Sequence, residues 1–262
     1  MKKIGFTIAE ILIAMGIIGI VTALTIPTLV QNNKKLVFAK TLVTTVGDFE
    51  VAMKTLMVTE DVSNLWETET WSDLDERNLG NETVANFVQN MQEIIPFESK
   101  GLSKDFYESG ITRLNNTPDD GNDLENARAF ESKNNIVYHI EILNADKTPT
   151  TGVGAAARPI REIDVLGRGG NLSKIAAHVT IDINGSDRPN VIGRDIFKYV
   201  LGADGKLYPL HGRDHCVFED IQGAVAAEPS YVSPAEFCNT DNDRDGDYCA
   251  AYLQENGYNM DY

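Results

Sequence analysis

Hydrophobic positions along the chain follow two regimes. From Phe6 to Val30 they are almost continuous, FTIAEILIAMGIIGIVTALTIPTLV, and the stretch contains a single charged residue, Glu10. As a helix at ~1.5 Å per residue this run would reach roughly 38 Å, more than the ~30 Å hydrocarbon core of a bilayer. Beyond Val30 the apolar positions thin to one in three or four: Leu36, Ala39, Leu42, Val46, Phe49, Met53 and Leu56, with Lys34, Lys35, Lys40, Asp48 and Lys54 on other faces. That spacing predicts an amphipathic helix laid on a core. The two stretches read as one helix from about Phe6 to Met57, bent at Pro27; the alternative divides them there into an anchor and a separate helix.

The remaining pattern alternates helix and strand signals. Residues 59–80 turn acidic and polar around Trp66 and Trp71, two local apolar anchors. Thr83 to Ile95 predicts a second helix through Val84, Phe87, Val88, Met91 and Ile94, capped by Asn81 or Thr83 and stopped by Pro96. Asn115 to Asp123 is a turn-rich loop. Strand patterns begin at Ile136 to Leu143 and recur at Val179 to Ile183, which ends in the turn Asn184-Gly185. Thr150 to Gly170 reads as a long exposed connection. Ile196 to Leu201 and Lys206 to Leu210 flank Ala203-Asp204-Gly205 as a hairpin. Ala250 to Asn256 predicts a short helix ending at Gly257, followed by a tail whose Tyr258 and Tyr262 pack on the head.

Composition narrows this picture. The chain has 262 residues and a formal net charge of −16. A surface that acidic disfavours nucleic acid and favours cations or basic partners. The apolar run is too long for a secretory signal, whose apolar region spans about 7 to 15 residues. Lys2 and Lys3 precede it, so the short N-terminus reads as cytoplasmic and the rest as exported, although Lys34 and Lys35 oppose that orientation. Export permits disulfides among Cys216, Cys238 and Cys249. Cys238 and Cys249 enclose a short acidic loop and form the favoured pair; Cys216 with either of them is the open alternative.

Glu10 is the feature that an anchor alone does not explain. A carboxylate within an apolar membrane helix costs a few kcal/mol and calls for a partner, unless it lies at the interface and snorkels. Its surroundings, Gly5-Phe6-Thr7-Ile8-Ala9-Glu10, resemble the prepilin-type signal of type IV pilins and type II secretion pseudopilins: a basic leader ending in glycine, then phenylalanine, then glutamate four residues on. Pro27 falls where pilins often carry a helix-kinking proline. The phrase from Ile181 to Pro209, IDINGSDRPNVIGRDIFKYVLGADGKLYP, looks like a sheet segment common in pilin-like heads. Gly16 and Gly19 permit close helix approach but lack the four-residue spacing of the membrane dimer motif.

The resemblance implies an α+β, pilin-like fold: a long N-terminal helix, half transmembrane and half amphipathic, packed on a small antiparallel sheet. It divides the chain into a leader at residues 1–5, a transmembrane and assembly helix at 6–30, an amphipathic continuation at 31–58 and a globular head at 59–262. A prepilin peptidase would cut between Gly5 and Phe6 and methylate the Phe6 amine. Glu10 would then pair with the Phe6 amine of a neighbouring subunit, since a buried carboxylate stays charged only beside a cation. The implied location is the bacterial inner membrane, single-pass with the head extracytoplasmic, followed by a filament in the periplasm or at the cell surface. The implied partners are the peptidase, other pilin or pseudopilin subunits and the membrane, with no nucleic acid.

Three motifs in the head bear on chemistry. Asp241-Asn242-Asp243-Arg244-Asp245-Gly246-Asp247 matches the start of a calcium loop, in which alternate carboxylates converge and glycine permits the turn. The twelfth position, which an EF-hand fills with glutamate, is Tyr252, which speaks against an EF-hand; Glu255 could substitute only in a different geometry. Some pseudopilins hold calcium in a C-terminal loop, and the resemblance extends such a site to Asp241, Asp243, Asp245 and Asp247; the alternative is a solvated acidic turn between two cysteines. His211, His215 and Cys216 have zinc-like spacing, but Pro209 and Gly212 oppose a helix there. Gly167 to Gly170 lacks the lysine and preceding strand of a phosphate loop. No nucleophile or metalloprotease motif is present, so the chain reads as structural, not enzymatic. The rival reading is a permanently anchored, calcium-dependent extracytoplasmic binding module that does not polymerise.

Overall fold

The computed structural model describes residues 7–69, 91, 95–107, 110–119, 124, 127–142, 150–151, 158–159, 175–209, 234–240 and 246–262. Its first element, α1 (Ile8–Thr59), is a single helix of 52 residues that runs through Pro27 without interruption. At ~1.5 Å per residue it is roughly 78 Å long. Pro27 supplies no N–H for the Ala23 carbonyl, and two residues earlier Thr25 donates its hydroxyl to the Val21 carbonyl at 2.9 Å. The unbroken element agrees with the continuous reading and not with a division at Pro27.

The two halves of α1 live in different surroundings. Residues 7–34 are all exposed. Ala39, Leu42, Thr45, Phe49, Ala52, Met53, Leu56 and Met57 are buried against the head. The buried stripe therefore begins at Ala39, whereas Leu36 is 53% exposed and Val46 is half-buried. The expected stripe was right in period and too wide at its start, since burial begins one turn after Leu36.

Ten strands follow among the described residues: β1 (Phe97–Leu102), β2 (Ile111–Thr112), β3 (Pro118–Asp119), β4 (Arg128–Ser132), β5 (Val137–Ile142), β6 (Thr150–Thr151), β7 (Arg158–Pro159), β8 (Ile175–Asp182), β9 (Ile196–Gly202) and β10 (Leu207–Pro209). Six of them form one sheet in the order β1-β4-β5-β8-β9-β10, every pairing antiparallel. Each sheet strand thus pairs with the next one in the chain order, giving an antiparallel meander. Two short helices, α2 (Pro234–Phe237) and α3 (Cys249–Glu255), lie beyond it.

Register explains which side chains meet α1. Tyr138, Ile181 and Phe197 are cross-strand neighbours, as are Ile140, Val179 and Tyr199. All six belong to the core that α1 completes, where Phe49 stacks on Tyr138 with ring centroids 5.3 Å apart. The alternate residues, His139, Thr180 and Asp182 among them, point to the opposite face. A smaller apolar cluster of Ile111, Leu124, Ala127, Ile192 and Ile196, with Tyr107 against it, covers part of that face.

The predicted strands at Ile136, Val179, Ile196 and Lys206 all appear, with β8 starting earlier than its apolar signal. The hairpin turn closes through Gly205 N–H to the Gly202 carbonyl at 2.9 Å, with Gly205 at φ +78° beneath Met53 and Met57 of α1. The sheet edge is blocked there: Leu207 N–H donates to Glu50 of α1 at 3.0 Å, and Pro209 has no N–H to offer. Strands β1 and β4 precede the first expected one and are additions to the sequence reading. The helix expected over Thr83 to Ile95 lies outside the described residues except for Met91 and Ile95, as do Trp71 and the side chain of Trp66.

Candidate functional site

The N-terminal stretch is described from Thr7 onward; Gly5 and Phe6 lie outside the described residues. Thr7 is the cap of α1. Its N–H donates to Glu10 Oε2 at 2.8 Å, its hydroxyl donates to the same oxygen at 2.8 Å, and Glu10 N–H donates to the Thr7 hydroxyl at 3.3 Å. This is a complete capping box, which satisfies backbone donors that the first turn of a helix leaves unpaired. The carboxylate also sits at the positive end of the helix dipole. Glu10 therefore has a local partner in the isolated chain, and its oxygens face the backbone one residue from Phe6. The T-x-x-E spacing ahead of an apolar run was the sequence signal for this cap, and the reading of Glu10 as an unpartnered charge passed over it.

Beyond Glu10 the helix presents apolar side chains on every face. Leu12, Ile13, Met15, Ile17, Ile18, Ile20, Leu24 and Leu29 are each more than half exposed. The helix is long and apolar enough to cross a membrane, and a signal sequence near an N-terminus meets the same test. Where the head begins its outward face is mixed: Val37, Val43, Val51 and Val58 are exposed there beside Lys40, Thr44 and Lys54, and Gly47 has open space around it.

At the far end of the chain, Cys238 and Cys249 form a disulfide across a separation of 11 residues. Closing a loop of that length is worth about 3 kcal/mol by restricting the unfolded chain. The bridge anchors α3, whose Cys249, Ala250, Ala251 and Leu253 are buried. Cys216, His211 and His215 lie outside the described residues. The tail folds back as expected: the Tyr262 hydroxyl donates to the Gly193 carbonyl at 2.7 Å, and Lys35 of α1 donates to a main-chain oxygen of Tyr262.

Of the four acidic residues assigned to calcium, Asp241, Asp243 and Asp245 lie outside the described residues. Asp247 is described, and its Oδ1 lies 2.8 Å from Lys198 Nζ on β9. That oxygen is held by a cation of the protein itself. Among the described residues no group of three or more His, Cys, Asp or Glu side chains could hold a metal ion. Gly246, the turn glycine of the motif, has φ +100°, and a Cβ there would lie 2.2 Å from the Ile192 carbonyl oxygen. The glycine is therefore required by backbone packing on Ile192-Gly193, with or without an ion. Lys198 was missed because its partner lies in a distant segment that no periodicity connects to β9.

Comparison with protein-family profiles, curated proteins and solved structures finds no match.

The sites at the two ends of the chain do not converge. Glu10 begins the exposed half of α1, whereas Asp247 and the disulfide belong to the head, against β9 and the residues 190–196 turn.

Proposed function

We propose that this chain is a structural subunit of a type IV pilus-like or type II secretion pseudopilus filament, cut by a prepilin peptidase and assembled through its N-terminal helix. One observation carries the reading: a single helix has an exposed apolar half that begins with Glu10 and a second half that forms the core of a head. An anchor needs only the first half. Continuity gives the apolar half a fixed position relative to the head, which a filament subunit needs if each copy is to repeat the same packing.

In this reading the helix is held in the bacterial inner membrane with the head outside the cytoplasm. It then leaves lipid for a core made of other subunits' helices, in the periplasm or at the cell surface. The surroundings of its apolar side chains stay apolar throughout, so transfer costs little apart from the charge at Glu10.

Mass spectrometry of the protein isolated from its native cell tests the processing step. A chain beginning at N-methylated Phe6 is expected. An intact Met1 terminus contradicts it and favours a permanently anchored module.

We also propose calcium for the acidic loop, with Asp241, Asp243 and Asp245 as ligands and Asp247 contributing only its Oδ2. Calorimetric titration of the detergent-solubilised chain is expected to show heat and a thermal shift at millimolar calcium. Their absence removes the site and leaves the filament reading intact.

A further inference from the structure

Behind the sheet, on the face turned away from α1, three titratable side chains share one hydrogen-bond chain. The Tyr107 hydroxyl lies 2.7 Å from Asp182 Oδ2 and 2.8 Å from His139 Nε2. His139 and Asp182 are buried, at 1% and 0% exposure, and Tyr107 is half-buried above them. The Phe106 and Tyr107 rings close over the imidazole at centroid distances of 5.5 and 5.3 Å. His139 Nδ1 has no hydrogen-bond partner. Asp182 Oδ1 accepts Asn184 N–H at 3.1 Å.

A phenol has one proton to donate, so the two short contacts constrain each other. If Asp182 is a carboxylate, Tyr107 donates to it, and the phenol oxygen must accept from a protonated Nε2 of His139. If Asp182 carries a proton, it donates to the phenol oxygen, Tyr107 donates to Nε2, and the ring proton resides on Nδ1. Both arrangements satisfy Oδ2, the hydroxyl and Nε2. Passing from the second to the first moves the Asp182 proton to Tyr107, moves the Tyr107 proton to Nε2 and releases one proton from Nδ1 to solvent. Nδ1 is without a partner in both states, so neither is favoured there.

We propose that Tyr107, His139 and Asp182 form a buried proton relay whose direction reverses when Asp182 ionises, so that the head carries a built-in pH sensor. Among the described residues, the other charged groups on this face have partners of their own. Asp195, in the turn before β9, accepts Asn190 N–H at 2.8 Å and Val191 N–H at 2.6 Å, and its like charge disfavours ionisation of Asp182. Lys198 on the same face is engaged by Asp247, and His178 pairs with Glu141 at 3.2 Å.

Burial is the main cause of the shifts that place the transition in an accessible range. It pushes Asp182 up to about 8, against the Tyr107 hydrogen bond, and pushes His139 down to about 3. Asp195, raised to about 6 by burial, titrates lower. For Asp182 the folded value exceeds the ordinary one, so its contribution to stability is complete below about pH 4 and is lost as pH rises through about 8. His139 acts with the opposite sign: its contribution is present above its ordinary value of 6.5 and is lost as pH falls through about 3. Between pH 6.5 and 8 only the Asp182 slope remains, and the head loses stability as pH rises.

The test is the tautomer of His139 in the full chain in detergent micelles, read from ring ¹⁵N shifts at pH 5.5 and 9 and assigned by the signal lost in His139→Gln. A neutral ring protonated on Nδ1 at pH 5.5 and on Nε2 at pH 9 is expected. The same tautomer at both values, or an imidazolium at pH 5.5, overturns the proposal. Asp182→Asn and Tyr107→Phe should each leave one tautomer across this range; a surviving switch in either folded variant also overturns it.

Discussion

Phe49→Ala is expected to destabilise the head by ~3–5 kcal/mol, the range for deleting a buried phenylalanine. The ring is fully buried and stacks on Tyr138 of β5, which in turn meets Phe97 edge-on at 5.2 Å, so Phe49 joins α1 to both the centre and the β1 edge of the sheet. Against a typical domain stability of about 5–15 kcal/mol, the loss is a large fraction of the total. Denaturant unfolding of the full chain in detergent, followed by aromatic fluorescence, measures it. Val51→Ala, on the exposed face of the same helix, is the control and should change stability by no more than about 0.5 kcal/mol. A Phe49→Ala effect as small as the control's would mean that α1 does not complete the head's core.

The parts of this fold that were legible in the sequence are those in which one period governs many residues. The alternation within Ile136 to Leu143 and the run from Val179 to Ile183 locate β5 and the end of β8, and the three- and four-residue spacing of Ala39 to Leu56 marks the buried side of α1. Strands β1 and β4 carry too little of that signal. In β1 the buried anchor is Phe97, and a register shift between Ser99 and Gly101 breaks the alternation; β4 offers Ala129 and Phe130 among charged and polar neighbours.

Side-chain partners were less legible than elements. His139 and Asp182 occupy outward positions of their strands, which a two-residue period assigns to solvent. They are buried because Tyr107, Ile111, Leu124 and Ala127 fold over that face, and these positions follow no common period. The pairing of Cys238 with Cys249 was favoured from their proximity along the chain, and the structure forms that bridge. In the acidic loop the composition shows neither the packing reason for Gly246 nor the lysine partner of Asp247.

The proposed assembly through the exposed half of α1 turns on Glu10. In the isolated chain its carboxylate closes the capping box with Thr7, and in a filament it is proposed to meet the Phe6 amine of a neighbour. Removing one partner of a buried ion pair costs ~3–5 kcal/mol, roughly a hundredfold or more in association. Three substitutions separate the roles. Glu10→Ala removes both the cap and the charge. Glu10→Gln keeps a side chain that can close the capping box while losing the charge. Thr7→Ala opens the box and leaves the charge in place.

The measurement that bears most directly on the proposed assembly is the amount of chain recovered in a filament fraction, relative to membranes, for wild type and these three variants. The wild type and Thr7→Ala should enter filaments, while Glu10→Ala and Glu10→Gln insert in membranes and fall by roughly a hundredfold in the filament fraction. A wild-type chain absent from every filament fraction, or a Glu10→Gln chain that assembles as well as wild type, would contradict assembly through this charge.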